Sequence, residues 1–217
     1  MARISAIETQ ERDRARVNVH LDGQYAFSVA GILAAGLKVG QELEQERVTS
    51  LQAQDLDEQA YQQALRFLSV RTRSEAELRQ YLLKHKVAED VVERTMQRLR
   101  TNALADDQQF ARAWVENRNT FRPRGQRALT WELRRKGVAP EAVQSALADL
   151  DEPALAYQAG SKKARHLDSL PWIEYRQRLS GFLARRGFPH SVIEAVISRL
   201  WRETHGGHST SDDEGIP

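Results

Sequence analysis

Basic side chains are concentrated in one part of the chain, and their chemistry suits the binding of anions. Between residues 118 and 136 stand seven cations, Arg118, Arg122, Arg124, Arg127, Arg134, Arg135 and Lys136, with Glu132 as the single acid. Arginine presents a planar fork of donors that matches the two oxygens of a carboxylate or phosphate. Trp114, Phe121 and Trp131 are interleaved with them. The stretch is a candidate docking edge for an acidic protein surface or a phosphate backbone.

The same residues also fit a surface without a partner. Arginine stems can lie along apolar surface, and here they could cover Trp131 while their charged ends remain in water. Arg134, Arg135 and Lys136 suit the end of a helix, where its dipole favours cations. Both interpretations stay open for the loop around Arg122 and Arg124.

The sequence contains no motif that indicates catalysis. There is no glycine-rich phosphate loop, no Gly-x-Ser-x-Gly and no His-Glu-x-x-His. Cysteine is absent, so disulfides and thiolates are excluded. His205 and His208 flank two glycines, but no third metal ligand stands nearby. The sequence predicts no enzyme, no catalytic residue, no metal and no cofactor.

The charge of the chain is uneven although its net value is only +2. Residues 1–56 carry a net −2, residues 57–204 a net +7, and residues 205–217 a net −3. No apolar run is long enough to span a membrane, and the N-terminus has no signal-peptide core. We expect a cytoplasmic protein with no membrane partner.

The elements that position these cations follow from a threefold repeat of about 50 residues. The same apolar offsets occur at Leu78, Leu82, Val87, Val92, Met96 and Leu99, at Leu129, Leu133, Val138, Val143, Leu147 and Leu150, and at Leu179, Leu183, Phe188, Ile193, Ile197 and Leu200. A period of this size is typical of stacked supersecondary units, which present extended binding surfaces. The fold class is therefore mainly α.

Capping signals divide each repeat into three helices. Ser74 with Glu77 forms a capping box at the start of the second helix of repeat one. Gly125 holds the same position in repeat two, where Gly137 can end the second helix and Pro140 can begin the third. In repeat three Tyr175 stands at the cap position, and the stretch 160–172 is lengthened.

Each repeat carries a basic patch. Arg71 and Arg73 precede Ser74 in the first repeat, and Lys162, Lys163 and Arg165 lie in the third. Each patch alone also fits solvent-exposed linker charge, but its recurrence in all three repeats favours a partner-binding role.

The N-terminal region has the alternating pattern of strands. We predict strands at 3–9, 15–21 and 24–29, because Asp22-Gly23 between alternating segments is a strong signal for a type I′ hairpin. A short helix near 29–35 covers the hairpin, and a polar helix from about Thr49 leads into the first repeat. The small, polar and acidic tail, 205–217, is predicted to be disordered.

These motifs together resemble the RecX family, bacterial regulators of the RecA recombinase. The resemblance rests on Leu68-x-x-Arg71-x-x-Ser74-x-x-Glu77-Leu78-x-x-x-Leu82, on Phe110-Ala111-x-x-Trp114-Val115-x-x-x-Arg118, and on Glu132-Leu133-x-x-Lys136-Gly137-Val138. It spans about 57–204. The segment Val17-Asn18-Val19-His20-Leu21-Asp22-Gly23 is similar to the N-terminal hairpin domain of longer members.

The resemblance implies tandem three-helix, helix-turn-helix-like repeats in an elongated curved array, with a small N-terminal β-hairpin and helix domain. It also implies a monomer that binds the RecA filament on single-stranded DNA, inhibits its ATPase and strand exchange, and promotes disassembly. Direct contact with DNA is a further expectation. Such a role belongs to DNA repair by homologous recombination and to the SOS response.

The alternative function is a direct DNA-binding protein built from helix-turn-helix-like bundles, since a three-helix unit with arginine-rich turns can present a recognition helix. The expected divisions are an N-terminal domain at 1–56, repeats at 57–105, 106–151 and 152–204, and the tail at 205–217.

Overall fold

The computed structural model describes residues 1–205, which are mainly helical and form two compact units. The first unit comprises residues 1–105, and the second begins at Asp106. His205 is the last residue of a helix rather than the start of the tail. The rest of the predicted tail, including His208, lies outside the described residues.

The N-terminal region is a four-stranded antiparallel sheet. Its strands are β1 (Ala2–Thr9), β2 (Arg16–Leu21), β3 (Gln24–Ala30) and β4 (Glu42–Leu43), in the order β3-β2-β1-β4. The three predicted strands are confirmed, and the two-residue β4, which pairs with β1, was missed. Asp22 and Gly23 have φ values of 49° and 84°, as a type I′ turn requires. The short helix α1 (Gly31–Ala34) follows β3.

Helix α2 (Gln45–Leu68) begins earlier than predicted and runs without a break into the first repeat. Val48 and Leu51 near its start pack into the core of the sheet. Tyr61 and Ala64 near its end pack into the core of the first repeat. The predicted division at residue 56 thus falls inside a helix that serves both cores.

Two buried carboxylates in the middle of α2 hold its neighbours. Asp55 accepts hydrogen bonds from Arg16 Nη2 at 2.7 Å and from the Ala30 backbone N–H at 2.7 Å, which ties α2 to β2 and β3. Glu58 accepts from Arg98 Nη1 at 2.6 Å. Burial acts to raise the pKa of Glu58, but hydrogen bonds from Arg98 and Gln62 outweigh it, so this pKa lies below its usual value.

The first repeat is completed by α3 (Glu75–Lys84) and α4 (Glu89–Thr101). The predicted capping box is confirmed: the Glu77 backbone N–H donates to Ser74 Oγ at 3.2 Å, and the Ser74 N–H donates to the Glu77 carboxylate at 3.4 Å. Two orphan donors at the start of α3 are thereby satisfied by residues of the same turn.

The second and third repeats form the second unit and share one plan. The second consists of α5 (Asp107–Phe121), α6 (Gln126–Arg135) and α7 (Pro140–Leu147), and the third of α8 (Glu152–Ala164), α9 (Trp172–Arg185) and α10 (His190–His205). Of the eighteen repeated apolar positions, sixteen are buried; Val87 and Leu150 are half-buried and pack against the same cores. The periodicity therefore identified the buried face of every repeat.

The third repeat differs at the start of its second helix. Tyr175 was expected at the cap, but α9 begins one turn earlier, after Pro171, and Tyr175 is fully buried within it. Its ring lies 5.0 Å from that of Trp201 in α10. The residue that aligns with a cap in repeat one is a core residue here, because the helix has gained a turn at its N-terminus.

Candidate partner-binding surface

A buried carboxylate organises the basic stretch of the second repeat. Glu132 lies on the face of α6 directed towards α5 and is 9% exposed. It accepts hydrogen bonds from Trp114 Nε1 at 2.8 Å and Arg118 Nε at 2.8 Å, and its second oxygen pairs with Arg124 Nη1 at 2.9 Å. One acid thus holds both Arg118 and Arg124 within the protein, so fewer of their guanidinium N–H donors are available to a partner.

The other cations of this stretch reach solvent. Arg122, Arg127, Arg134 and Arg135 are exposed. The guanidinium of Arg135 lies 4.7 Å from the centre of the Trp131 ring, yet Trp131 remains 58% exposed. The expectation that arginine stems cover this indole therefore holds only in part. Lys136 is half-buried, with its ammonium 5.4 Å from the Trp114 ring.

Arg186 joins this surface although the sequence did not single it out. Its Nη1 donates to the Pro123 carbonyl at 3.1 Å. Burial, and then the charges of Arg124 and Arg122, lower the pKa of Arg186. The turn thus brings Arg186 of the third repeat close to Arg122 and Arg124 of the second. The available signal was positional, since Arg186 precedes Gly187 as Lys136 precedes Gly137.

Gly125 allows this close approach of the third repeat. Its N–H donates to the Arg186 carbonyl at 3.0 Å, and a Cβ at this position would lie 2.4 Å from the Gly187 carbonyl oxygen. With no side chain to cap α6, the Gln126 N–H is satisfied instead by Glu152 of α8, at 2.8 Å. The geometry of the loop that carries Arg122 and Arg124, the arginine loop, thus depends on the third repeat.

The first-repeat patch is closed by local partners. Arg71 makes two contacts with the Glu77 carboxylate, at 3.0 and 3.2 Å. Arg73 is half-buried with its guanidinium 4.0 Å from the centre of the Phe67 ring, and Phe67 in turn stacks on Tyr81. Burial, and then the charge of Arg71, lower the pKa of Arg73. These side chains stabilise the turn before α3.

The third-repeat patch surrounds the end of α8. Lys162 and Arg165 are exposed, whereas Lys163 is half-buried. Lys162 and Lys163 lie in the last turn, where cations are stabilised by the helix dipole. The helix dipole therefore gives Lys162 and Lys163 an intramolecular role that is independent of a partner.

Two structural findings bear on other classes of function. Within residues 1–205, no group of three His, Asp or Glu side chains is arranged to hold a metal ion. Over the same residues, no helix combines the length and the apolar character needed to cross a membrane.

Comparison with protein families gives four matches along the chain. The RecX N-terminal domain matches residues 2–44, and the first, second and third three-helix domains of RecX match residues 60–99, 106–147 and 151–197. The third match includes the repeat whose second helix is lengthened.

Individual proteins and solved structures agree with these matches. The chain is 42% identical to the regulatory protein RecX of Mycolicibacterium smegmatis over 68% of its own length and 84% of the relative's. It is 32% identical to that of Bacillus subtilis over 91% and 76%. A crystal structure of regulatory protein RecX matches with a TM-score of 0.75 and 29% identity, covering 91% of this chain and all of the other. RecX from Lactobacillus salivarius, at 21% identity, 67% and 97% coverage and a TM-score of 0.62, supports the fold. The chain belongs to the RecX family.

Proposed function

We propose that this protein regulates the RecA recombinase by binding its filament on single-stranded DNA. Binding lowers the ATPase and strand-exchange activities and promotes disassembly. The observation that carries the proposal is membership of a family whose relatives are named regulatory protein RecX. The role is one of binding and not of catalysis, exerted by a cytoplasmic monomer.

The exposed cations supply the contacts in this proposal. Arg122, Arg127, Arg134 and Arg135 of the second repeat, with Lys162 and Arg165 of the third, are exposed and chemically suited to carboxylates. Complementary charge raises the rate of encounter and fixes the orientation of docking. Arg118 and Arg124, held by Glu132, preorganise the loop that presents Arg122.

Inhibition follows if binding favours one state of the filament. A ligand shifts a conformational equilibrium only by the difference between its affinities for the two states. We therefore propose that the protein binds a filament arrangement with low ATPase activity more tightly than the active one. Direct DNA contact by the exposed arginines is the alternative source of affinity.

The decisive experiment is the single-strand-dependent ATPase of RecA, titrated with this protein. We expect inhibition at or below one molecule per recombinase protomer, whereas unchanged turnover at a large excess would refute the proposal. Binding to naked duplex DNA over a salt titration tests the alternative. A protein that relies on phosphate contacts loses affinity steeply with salt, whereas a filament regulator requires recombinase-coated DNA.

A further inference from the structure

A groove in the second unit has walls of different chemistry. One wall is α6, where Arg127, Trp131 and Arg134 lie on the same face, and the other is the turn from α9 to α10, with Phe188, Pro189 and Ile193. The groove encloses a volume of about 830 Å³. This volume lies within the range of clefts that bind drug-sized ligands.

The charges of the groove are unbalanced. Arg127 and Arg134 are exposed, and within residues 1–205 neither is paired with a carboxylate. His190 stands at the opposite rim with its Nε2 3.6 Å from a carboxylate oxygen of Glu194, so the cations of the groove are the two arginines. The acid that lines the groove, Glu152, accepts a hydrogen bond from the Gln126 N–H and keeps its negative charge, so the imbalance is that of two arginines against one carboxylate. The groove thus offers cationic groups that a negative ligand can neutralise.

An exposed indole lies between the two arginines. Arg127 and Arg134 are two helical turns apart, about 10 Å along α6, and Trp131 projects from the turn between them. Exposed tryptophan and arginine residues are the side chains that most often anchor protein interfaces. The arrangement is complementary to a segment that carries two carboxylates about two helical turns apart with a large apolar side chain between them.

The apolar wall favours a protein segment over a nucleic acid. Phe188 and Ile193 are buried core residues whose edges line the groove, and Ala184 and Pro189 add to this wall. A nucleic-acid strand carries a phosphate at every nucleotide and gains much of its affinity from cations that follow its backbone. Cations on one wall and carbon on the other suit the two faces of an amphipathic acidic segment.

We propose that the groove between α6 and the α9–α10 turn binds an acidic, amphipathic protein segment. The inference rests on the proposed function, since the segment would belong to the recombinase filament. Arg127 and Arg134 bind its carboxylates, and its apolar side chain packs between Trp131 and the wall formed by Pro189 and Ile193.

Direct binding is tested by NMR on the full chain, with the Trp131 indole N–H as the reporter. The probe is an alanine-based peptide of about twelve residues, with two glutamates two turns apart and a leucine between them. We expect it to shift the Trp131 signal, and we expect no shift from the same peptide with glutamines. An oligothymidylate that shifts Trp131 more than the acidic peptide does would overturn the inference, as would the absence of any peptide-induced shift.

Variants connect the groove to regulation. The double substitution R127E/R134E should abolish the peptide-induced shift and raise the concentration for half-inhibition of the ATPase about tenfold. Arg112→Glu, a single charge reversal on exposed α5 surface outside the groove, is the control and should inhibit like the wild type. Trp131→Ala provides a variant without charge reversal, and thermal melts establish that each variant is folded.

The outcomes separate the two proposals. If the wild type inhibits the ATPase and R127E/R134E inhibits equally well, the groove inference is wrong and the proposed function stands. If the wild type itself does not inhibit, the proposed function fails whatever the peptide does.

Discussion

The turns before α3 and α6 occupy the same place in successive repeats but are stabilised in different ways. Ser74 and Glu77 close the start of α3 within one turn, and Glu77 also holds Arg71. At α6, Gly125 has no capping side chain, so Glu152 satisfies the Gln126 N–H and the Gly187 backbone packs directly on Gly125.

The difference shows how one helical plan can give either a self-contained turn or a joint between repeats. The turn before α3 contains its own acid, Glu77, which pairs with Arg71. The turn before α6 instead relies on residues of the third repeat as hydrogen-bond partners for its backbone N–H groups. Its acid, Glu132, is buried and pairs with Arg124 of the arginine loop. Arg122 of the same loop is exposed.

The largest expected effect is that of Gly125→Ala. The added Cβ would meet backbone atoms of Gly187 and Phe188 at 2.4–2.7 Å, so the two repeats must separate. We expect a loss of about 3 kcal/mol in the free energy of unfolding, at the upper end of overpacking effects. All four tryptophans, at 114, 131, 172 and 201, lie in the second unit, so urea denaturation followed by tryptophan fluorescence reports on it. An unchanged urea midpoint would contradict the conclusion that Gly125 forms a close contact between the second and third repeats.

Glu132→Gln should have an intermediate effect. Breaking a buried ion pair costs about 3–5 kcal/mol, but the side chains of Arg118 and Arg124 are 27% and 36% exposed, so we expect about 2 kcal/mol. Tyr81 holds the corresponding position in the first repeat, and Tyr81→Phe is the control, expected to stay within about 0.5 kcal/mol. Equal stability of the two variants would show that Glu132 does not organise the arginine loop.

Ser74→Ala is expected to have the smallest effect, about 1 kcal/mol, the usual cost of losing an N-cap. Because the Ser74 turn is closed locally, the loss should be confined to the first unit. Far-UV circular dichroism should detect it, while the tryptophan fluorescence transition of the second unit stays unchanged. A matching shift in tryptophan fluorescence would mean that the turn before α3 is not self-contained.

Sequence reasoning succeeded wherever the determining interactions are local. Helical periodicity identified the buried face of each repeat, and the Ser74–Glu77 spacing identified a cap, because both depend on residues within one or two turns. The Asp22-Gly23 hairpin was predictable for the same reason. Tyr175 was misassigned because alignment of the repeats cannot show that a helix has gained a turn before it.

The pairing and exposure of the individual arginines could not be predicted from the sequence. Arg118, Arg122 and Arg124 look alike in the sequence, yet two of them pair with a buried acid and one faces solvent. Glu132 was noted only as the lone acid among cations, because its burial follows from the packing of α6 on α5. Arg186 was overlooked because its neighbours, Pro123 and Arg124, are about sixty residues away in the chain.

Because helix α2 belongs to two cores, it couples the local unfolding of both parts of the first unit. Over about 36 Å it contributes to two cores, and at its middle Asp55 binds the sheet while Glu58, one turn on, binds α4 through Arg98. Unwinding either half exposes apolar side chains of one core and weakens the carboxylate that serves the other. The amide hydrogens of β2, α2 and α4 should therefore exchange with solvent with a common free energy of opening, as those of a single cooperative folding unit do.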